Sequence, residues 1–252
     1  MTSHGGADFT ALCAALAERG YDFGALEIDA ALVLPQSRPR LFVLATRAAP
    51  PPGLTAAPGA FHSAAVRKAY AALPEALQAR WLWWDLPAPA RRNTRLADVL
   101  EPDAEVAWLS PERTRRLVSL MGAVHQAKLQ AARMQDGRQV GALFRRTRIE
   151  GGRRVQRAEV RFDGLAGCLR TPTGGSSRQF VLVVEGGDVR ARLMTPREAA
   201  RLMGLPEDYR LPTSATAALH LAGDGVAAPV VRLLAAHILE PLLERGARAA
   251  AA

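Results

Sequence analysis

The chain has 252 residues, of which 49% are hydrophobic, so it can bury a substantial core and is not intrinsically disordered. Its net charge of +9 comes almost entirely from arginine, which far outnumbers lysine and suits bidentate contact with phosphate or guanine. The composition favours a polyanionic partner, although a GC-rich genome would also enrich arginine and alanine.

The cysteines and the apolar segments bound the cellular setting. Cys13 and Cys168 have neither metal-ligand spacing nor the pattern of a disulfide framework, so we expect no metal site and a reducing, cytoplasmic environment. No secretory leader pattern follows Met1, and no apolar run has the length of a membrane span. We therefore expect no membrane association.

The first elements resemble one end of an α/β sheet. An amphipathic helix is predicted at 8–20, followed by short apolar strands at 25–32 and 40–46. A doubly wound domain would need several more such units. The turn between the strands carries Gln36, Arg38 and Arg40, whose alternation puts an amide and two guanidinium groups on one face of an extended backbone. They could bind one polar ligand, or form a merely basic, proline-stiffened loop.

The composition changes after residue 46. A Pro- and Ala-rich segment at 48–59 predicts a linker, and a tryptophan cluster at 81–84 indicates either a small core or a surface that stacks on bases. A long helix is predicted from Ser110 to about residue 134. Its expected buried side contains Leu117, Leu120, Met121 and Val124.

The stretch 138–161 is strongly basic, with eight arginines against two glutamates. A Glu-Gly-Gly turn at 150–152 predicts a hairpin between strands at 140–147 and 154–162. Such a ribbon can follow phosphates or enter a major groove, and a solvated basic face is the alternative. The candidate DNA contacts on the ribbon are Arg145, Arg146 and Arg148.

A Gly-Gly-Ser-Ser loop follows at 174–177 and suits the close approach of a sugar-phosphate backbone. It has neither the lysine nor the spacing of the known nucleotide-binding loops. The candidate DNA-contacting residues in and beside the loop are Arg170, Thr171, Gly174, Gly175, Ser176, Ser177, Arg178 and Gln179.

The stretch 192–212 predicts a short, well-capped helix. Thr195 is the expected N-cap, Pro196 occupies the first helical position and Glu198 completes a Thr-x-x-Glu capping box. Gly204 suits the left-handed position after the last turn. Taken alone, these signals would fit a basic helix of any globular protein.

Three stretches, in this order, resemble sequence blocks of the DNA cytosine-5 methyltransferases. Residues 33–45, VLPQSRPRLFVLA, resemble the eighth block with its Gln-x-Arg-x-Arg motif, residues 192–212 the ninth, and residues 219–243 the tenth. A stretch like LRTPTGGSSRQ, at 169–179, precedes the ninth block in many members. The resemblance covers nearly the whole chain.

The resemblance implies an α/β fold, namely a partial S-adenosylmethionine-dependent (Rossmann-like) methyltransferase domain with an inserted α+β target recognition domain. The catalytic domain would comprise residues 1–47 and 213–245, the target recognition domain residues 48–212, and the tail residues 246–252. S-adenosyl-L-methionine would be the methyl donor and double-stranded DNA the substrate.

The resemblance also assigns site residues. It implies that Gln36, Arg38 and Arg40 clamp the flipped cytosine, with Arg40 the best candidate for hydrogen bonding to the base. The residues that match the turn lying against the donor are Gly223, Asp224, Gly225 and Val226. Asp224 stands where many members have Asn, which disfavours a direct hydrogen bond to the donor's carboxylate because two carboxylates repel.

Members of the family carry three earlier blocks that this sequence lacks: a glycine-rich donor loop, a Pro-Cys nucleophile and a Glu-Asn-Val block. The family attacks C6 of a flipped cytosine with a cysteine thiolate and methylates C5. Neither Cys13 nor Cys168 follows a proline. We therefore expect this chain alone to be inactive and to work with an N-terminal methyltransferase subunit that supplies the missing half.

Several alternatives stay open at this point. A truncated gene product or a gene-start error would also leave those blocks out, and an upstream reading frame encoding them would indicate either of these or a split enzyme. A non-catalytic, sequence-specific DNA-binding protein derived from a methyltransferase is an alternative of another class. An RNA-binding or structural basic protein would require the three blocks to be coincidental.

Overall fold

The computed structural model describes residues 1, 3–171 and 178–244. The fold is mixed α/β, as the sequence predicts. In chain order the strands and helices are α1 (Ala7–Glu18), β1 (Asp22–Asp29), β2 (Pro39–Thr46), α2 (Ala64–Ala71), α3 (Glu75–Gln78), α4 (Pro111–Ser119), α5 (Ala123–Arg133), β3 (Gln139–Glu150), β4 (Arg153–Arg161), β5 (Phe180–Glu185), β6 (Asp188–Leu193), α6 (Pro196–Leu202), α7 (Ala215–Asp224) and α8 (Ala228–Leu234). A π-helical segment, Ala235–Leu239, continues α8.

The chain divides into two compact units. The first unit contains Met1–Asp29, Pro39–Ala90 and the chain from Val230 onward. The second unit contains Ala30–Arg38 and Arg91–Pro229. Compact units are not functional domains by themselves, so the predicted domain boundaries near residues 47 and 212 stay predictions.

The first unit is built on the antiparallel pair β1–β2, in which Asp22 lies opposite Thr46. Phe9 and Cys13 of α1 pack on β1. The indole of Trp81 packs edge to face on the ring of Phe23, with 5.9 Å between the ring centroids. Because this part of the tryptophan cluster is buried, it anchors a core. Burial raises the pKa of the Cys13 thiol to about 11, so Cys13 is a packing residue.

The second unit contains a four-stranded antiparallel sheet in the order β4-β3-β5-β6. The apolar strand β5 is buried on both faces of this sheet. Val181 and Val183 lie in one core cluster with residues of α6 and α7, whereas Leu182 and Val184 lie in another with residues of α4 and α5. Helices therefore cover both faces, which explains why β5 is apolar without alternation.

The predicted long helix from Ser110 is two helices, α4 and α5. Between them Met121 bridges to Ala158 of β4, and the amide of Ala158 donates to the carbonyl of Leu120 at 3.0 Å. These strand-like contacts hold the backbone out of helical geometry. The prediction that Val124 is buried was wrong: its side chain is 67% exposed.

The stretch Ala215–Glu244 is long enough and apolar enough to cross a membrane, because its most apolar window of 18 residues has a mean hydropathy of 1.6. The sequence analysis did not anticipate this. Its backbone is interrupted at 225–227, between α7 and α8. Core helices of soluble proteins pass the same test of length and composition, so this stretch does not by itself indicate a membrane protein.

Glu198 is the buried centre of the second unit's capped helix. Its carboxylate is fully buried and accepts hydrogen bonds from both terminal nitrogens of Arg192 at 2.8 and 2.5 Å, with the Arg192 side chain 1% exposed. It also accepts from the amides of Thr195 and Glu101, both at 2.9 Å. The predicted capping box is confirmed, and it doubles as a buried ion pair.

Replacing Glu198 should destabilise the protein strongly. In Glu198→Gln the Arg192 guanidinium stays buried without a counter-charge, and we expect the free energy of unfolding to fall by about 3 kcal/mol or more. Glu207→Gln is the matched control, because Glu207 pairs with Arg201 at the exposed surface and should change stability little. Urea unfolding measures both variants, and equal effects would contradict the assignment.

His62 should make folding sensitive to acid. Burial, together with the charge of Arg67, lowers the pKa of this side chain, although Asp85 opposes the shift. The unfolded chain therefore takes up a proton below about pH 6.5 that the folded chain resists, so the free energy of unfolding falls as the pH drops.

The matched variant is His62→Gln. The backbone amide of Gly59 donates a hydrogen bond to His62 Nδ1 at 2.8 Å, and the side-chain oxygen of glutamine can accept the same hydrogen bond. We expect the variant to lose less stability than the parent between about pH 7.5 and about pH 5.5. Tryptophan fluorescence measures the free energy of unfolding in urea at each pH. Trp83 is a suitable reporter because its ring centroid lies 4.9 Å from that of His62. Parallel pH profiles would rule His62 out as the cause.

Candidate functional site

The side chain of Arg38 ties together segments that are far apart in sequence. It is 3% exposed. One terminal nitrogen, Nη1, donates to the carbonyl of Leu169 at 2.8 Å, and the other, Nη2, donates to the carbonyls of Gly223 and Gly225 at 2.8 and 2.7 Å. The planar guanidinium thereby joins the segment before β2 to the segment before β5 and to the turn after α7.

Gln36 makes a second set of bridges beside it. This side chain is fully buried. Its Nε2 donates to the carbonyl of Leu202 at 2.7 Å, and its Oε1 accepts from the amide of Leu169 at 3.2 Å. The backbone continues the link, because the amide of Ser37 donates to the carbonyl of Ala166 at 3.0 Å. Gln36 therefore holds the end of α6 and the segment around 166–169 together.

These contacts differ from the expectation that Gln36, Arg38 and Arg40 present their side chains to one ligand. Backbone groups of the protein occupy the amide of Gln36 and the guanidinium of Arg38, and both side chains are buried. Arg40 lies at the start of β2 and is exposed, with its Nη1 donating to the carbonyl of Pro39 at 2.9 Å. Of the three, Arg40 is placed where a ligand can reach it.

The turn at 223–226 is packed against the chain itself. A Cβ added to Gly223 would lie 2.4 Å from the backbone nitrogen of Thr171, so only glycine permits this approach. The hydroxyl of Thr171 donates to the carboxylate of Asp224, and the Val226 side chain is 50% exposed. With its carbonyls bound to Arg38, the turn does not by itself fit a complete site for S-adenosylmethionine; it can supply one wall.

The candidate DNA-contacting residues around the Gly-Gly-Ser-Ser loop also include both exposed and buried side chains. Arg170 is exposed, and Thr171 and Arg178 are half-buried. Gln179 was a candidate for DNA contact, but it is 6% exposed and holds Gly167 at two points, accepting from its amide at 3.0 Å and donating to its carbonyl at 2.8 Å. The remaining predicted contacts, Gly174, Gly175, Ser176 and Ser177, lie outside the described residues.

The basic ribbon forms as predicted, and β3 and β4 pair from Ala142–Arg161 to Glu150–Arg153. Two of its three candidate arginines are ion-paired: Arg146 lies 3.3 Å from the Glu159 carboxylate, and Arg148 Nε donates to it at 2.8 Å. Arg145 is half-buried, with its guanidinium carbon 5.5 Å from the centre of the Phe180 ring. The sequence could not show which of the arginines are neutralised inside the protein.

The acceptors of Arg38 were also missed, because backbone carbonyls leave no mark in a sequence. The glycines at 223 and 225 were noticed only as a turn. Two further arginines of the ribbon, Arg153 and Arg154, were not named as candidates although they are exposed at its tip. Alternation along the predicted hairpin could have separated them by face.

Comparison with known proteins identifies the family of this chain. A sequence model of the family described as C-5 cytosine-specific DNA methylase matches residues 1–240. The type II methyltransferase M1.ScrFI of Lactococcus lactis subsp. cremoris is 41% identical over 61 residues, which are 24% of this chain and 16% of that protein. The type II methyltransferase M.HhaI of Haemophilus parahaemolyticus is 28% identical over 155 residues, which are 62% of this chain and 42% of that protein.

Among solved structures, the Entamoeba histolytica methyltransferase EhMeth aligns with a TM-score of 0.47 and 11% identity over 94% of this chain and 58% of that one. The chain spans less than half the length of the two curated relatives described above. Because the family model covers nearly all of its residues, the chain belongs to the C-5 cytosine-specific DNA methylase family.

Proposed function

We propose that this chain is the DNA-recognising and base-clamping portion of a DNA (cytosine-5-)-methyltransferase and needs an N-terminal catalytic part for methyl transfer. The observation that carries the proposal is the Gln36–Arg38 network, whose hydrogen bonds connect the three stretches that resemble the family's C-terminal blocks. The type II relatives support a role in DNA methylation within a restriction-modification system, in the cytoplasm.

The network suggests a division of labour within the Gln-x-Arg-x-Arg motif. Gln36 and Arg38 act as positioning residues, because their polar groups bind the protein backbone. Arg40 is the clamp: an exposed guanidinium can donate to the carbonyl oxygen and ring nitrogen of a flipped cytosine while remaining charged. S-adenosylmethionine, the methyl donor of the family, supplies the methyl group when it is bound.

The nucleophile of the proposed enzyme comes from another chain or portion, because neither Cys13 nor Cys168 follows a proline as the family's nucleophile does. Cys13 is buried and its pKa is raised to about 11, so it carries almost no thiolate near neutral pH.

An apolar surface also supports a partner or a further portion of the protein. In the stretch Ala215–Glu244, only 22% of the most apolar window of 18 residues is buried, and Leu239 and Leu243 are exposed.

A non-catalytic DNA-binding protein is the second candidate function. The exposed arginines at the tip of the ribbon favour it, because they could hold DNA whether or not methylation follows. A matched catalytic part separates the two functions. If it folds with this chain and no methyl group is transferred, the binding function is favoured.

Arg40→Ala should abolish most activity without unfolding the chain. The assay combines this chain with a chain that carries the glycine-rich, Pro-Cys and Glu-Asn-Val blocks, and follows labelled methyl transfer to duplex DNA. We expect about a hundredfold lower rate for Arg40→Ala, the size of effect seen when one preorganised donor is removed. Arg19→Ala, which changes another exposed arginine, should retain the parent rate. Full activity in Arg40→Ala, or methylation by this chain alone, would contradict the proposal.

Arg38→Met should act through folding instead. It leaves two buried carbonyls and one half-buried carbonyl without their donor, and we expect the free energy of unfolding to fall by about 2 kcal/mol or more. In urea unfolding, the free energy of unfolding of Arg40→Ala should stay close to that of the parent, because the Arg40 side chain is exposed. An Arg38→Met chain as stable as the parent would show that the network does not hold the blocks together.

A further inference from the structure

The distal part of the basic ribbon extends beyond the pairing of β3 with β5. Among the residues that the structure describes, β3 pairs with β5 over Gln139–Leu143, whereas its pairing with β4 continues to Glu150. Within this described part of the chain, the hairpin beyond residue 144 is therefore a two-stranded ribbon, about 20 Å long at the rise of a β-strand. A ribbon of this width fits the major groove of B-form DNA.

The turn fixes which side chains share a face. Gly151 and Gly152 both have positive φ, at 54° and 77°, as the two-residue turn of a tight hairpin requires. The resulting register puts Ile149 opposite Arg154 and Thr147 opposite Gln156. A slip of one residue would exchange the two faces, so these glycines determine which residues point the same way.

One face of the ribbon carries glutamates that pair with most of its arginines, and we call it the paired face. It carries Arg146, Arg148, Glu150, Arg153, Val155, Arg157 and Glu159. Glu159 pairs with Arg146 and Arg148, and Glu150 accepts from Arg157 Nε at 2.8 Å. Among the described residues, Arg153 is the one arginine of this face that has no ion-pair partner.

The other face, which we call the open face, contains no carboxylate. It carries Arg145, Thr147, Ile149, Arg154 and Gln156. Arg154 has no ion-pair or hydrogen-bond partner among the described residues, and Ile149 is 77% exposed. Gln156 touches Arg145 only at 3.5 Å, the outer limit of a hydrogen bond.

The chemistry of the open face matches base edges and not only phosphates. Guanidinium groups bind guanine in the major groove, a side-chain amide binds adenine through two hydrogen bonds, and methyl groups contact the methyl of thymine. Arginine, glutamine, threonine and isoleucine supply all of these on one strip. The paired face offers mainly guanidinium groups already engaged by glutamates.

We propose that the open face of the ribbon enters the major groove of double-stranded DNA and recognises bases there, while the paired face points away from them. This inference rests on the proposed function and deepens it, because it names the residues that determine the sequence specificity. Arg154 and Gln156 are the side chains with the most direct access to bases, being exposed and close to the tip.

Arg153 and Arg154 make a matched pair for testing it. They are neighbours, both are exposed, neither has an ion-pair partner among the described residues, and they lie on opposite faces. Arg153→Ala and Arg154→Ala therefore remove the same charge from nearly the same place. Gln156→Ala removes an open-face amide without changing the charge. All three should unfold at the parent's temperature.

The experiment selects from a pool of duplex DNA with a randomised central segment, using the full chain, and sequences the retained molecules. We expect the parent to enrich a sequence motif, and Arg154→Ala and Gln156→Ala to weaken the preference at one or more positions by about tenfold. Arg153→Ala should lower retention of all sequences evenly and keep the motif.

The outcomes separate this inference from the proposed function. Equal loss of preference in Arg153→Ala and Arg154→Ala, no loss in either open-face variant, or retention of DNA by the parent without any preference would overturn base recognition by the open face, and DNA binding would stand. No retention of DNA by the parent at low salt, or stronger retention of a random RNA duplex, would overturn both. An RNA duplex is the informative competitor because its major groove is too narrow for the ribbon.

Discussion

The buried guanidinium of Arg38 is the contact on which the rest of the second unit depends. Its hydrogen bonds to Leu169, Gly223 and Gly225 join three segments that are far apart in sequence. Backbone carbonyls without partners are costly in a protein interior, so each segment needs the others in place. The same cluster fixes the C-terminal end of α6 through Gln36 and thereby connects it with the capped helix.

Buried hydrogen bonds to Glu198 connect the capped helix with the sheet. Four donors surround its carboxylate, including the amide of Glu101 and the guanidinium of Arg192 on β6. Because Trp108 lies under the guanidinium groups of both Arg190 and Arg192, the segment before α4 is fixed at the same point. The capped helix that resembles the ninth block thus connects a sheet to a turn. Through these contacts it also fixes the orientation of the ribbon that projects from the sheet.

Local signals predicted local structure well. The capping box at Thr195 and Glu198, the Glu-Gly-Gly hairpin and the presence of the strands β1 and β2 all follow from residue type and spacing. Predictions failed where a tertiary contact overrode a local pattern. The bridge from Met121 to Ala158 divides a helix that periodicity alone would continue, and it leaves Val124 exposed.

The candidate site shows the same limit more sharply. The Gln-x-Arg-x-Arg pattern identifies the residues, but it does not tell which of them faces a ligand, because the partners of Gln36 and Arg38 are backbone groups more than a hundred residues away. Similarly, the eight arginines at 138–161 indicate a polyanionic partner, but only the strand register shows that both glutamates of the ribbon lie on one face and pair with arginines there.

Recognition and bond formation are separated in the proposed enzyme: this chain holds the DNA and the target base, and the cysteine that attacks the base lies elsewhere. Duplex DNA containing 5-fluorocytosine tests that separation directly. The reaction contains S-adenosylmethionine, so that a methyl group is added to C5; the fluorine there cannot then leave as the proton does, and the thiolate adduct at C6 persists and can be located by mass spectrometry. The expected result is DNA attached to the catalytic part, and only when this chain is present. Attachment at Cys13 or Cys168, or attachment that forms equally well without this chain, would contradict the assignment.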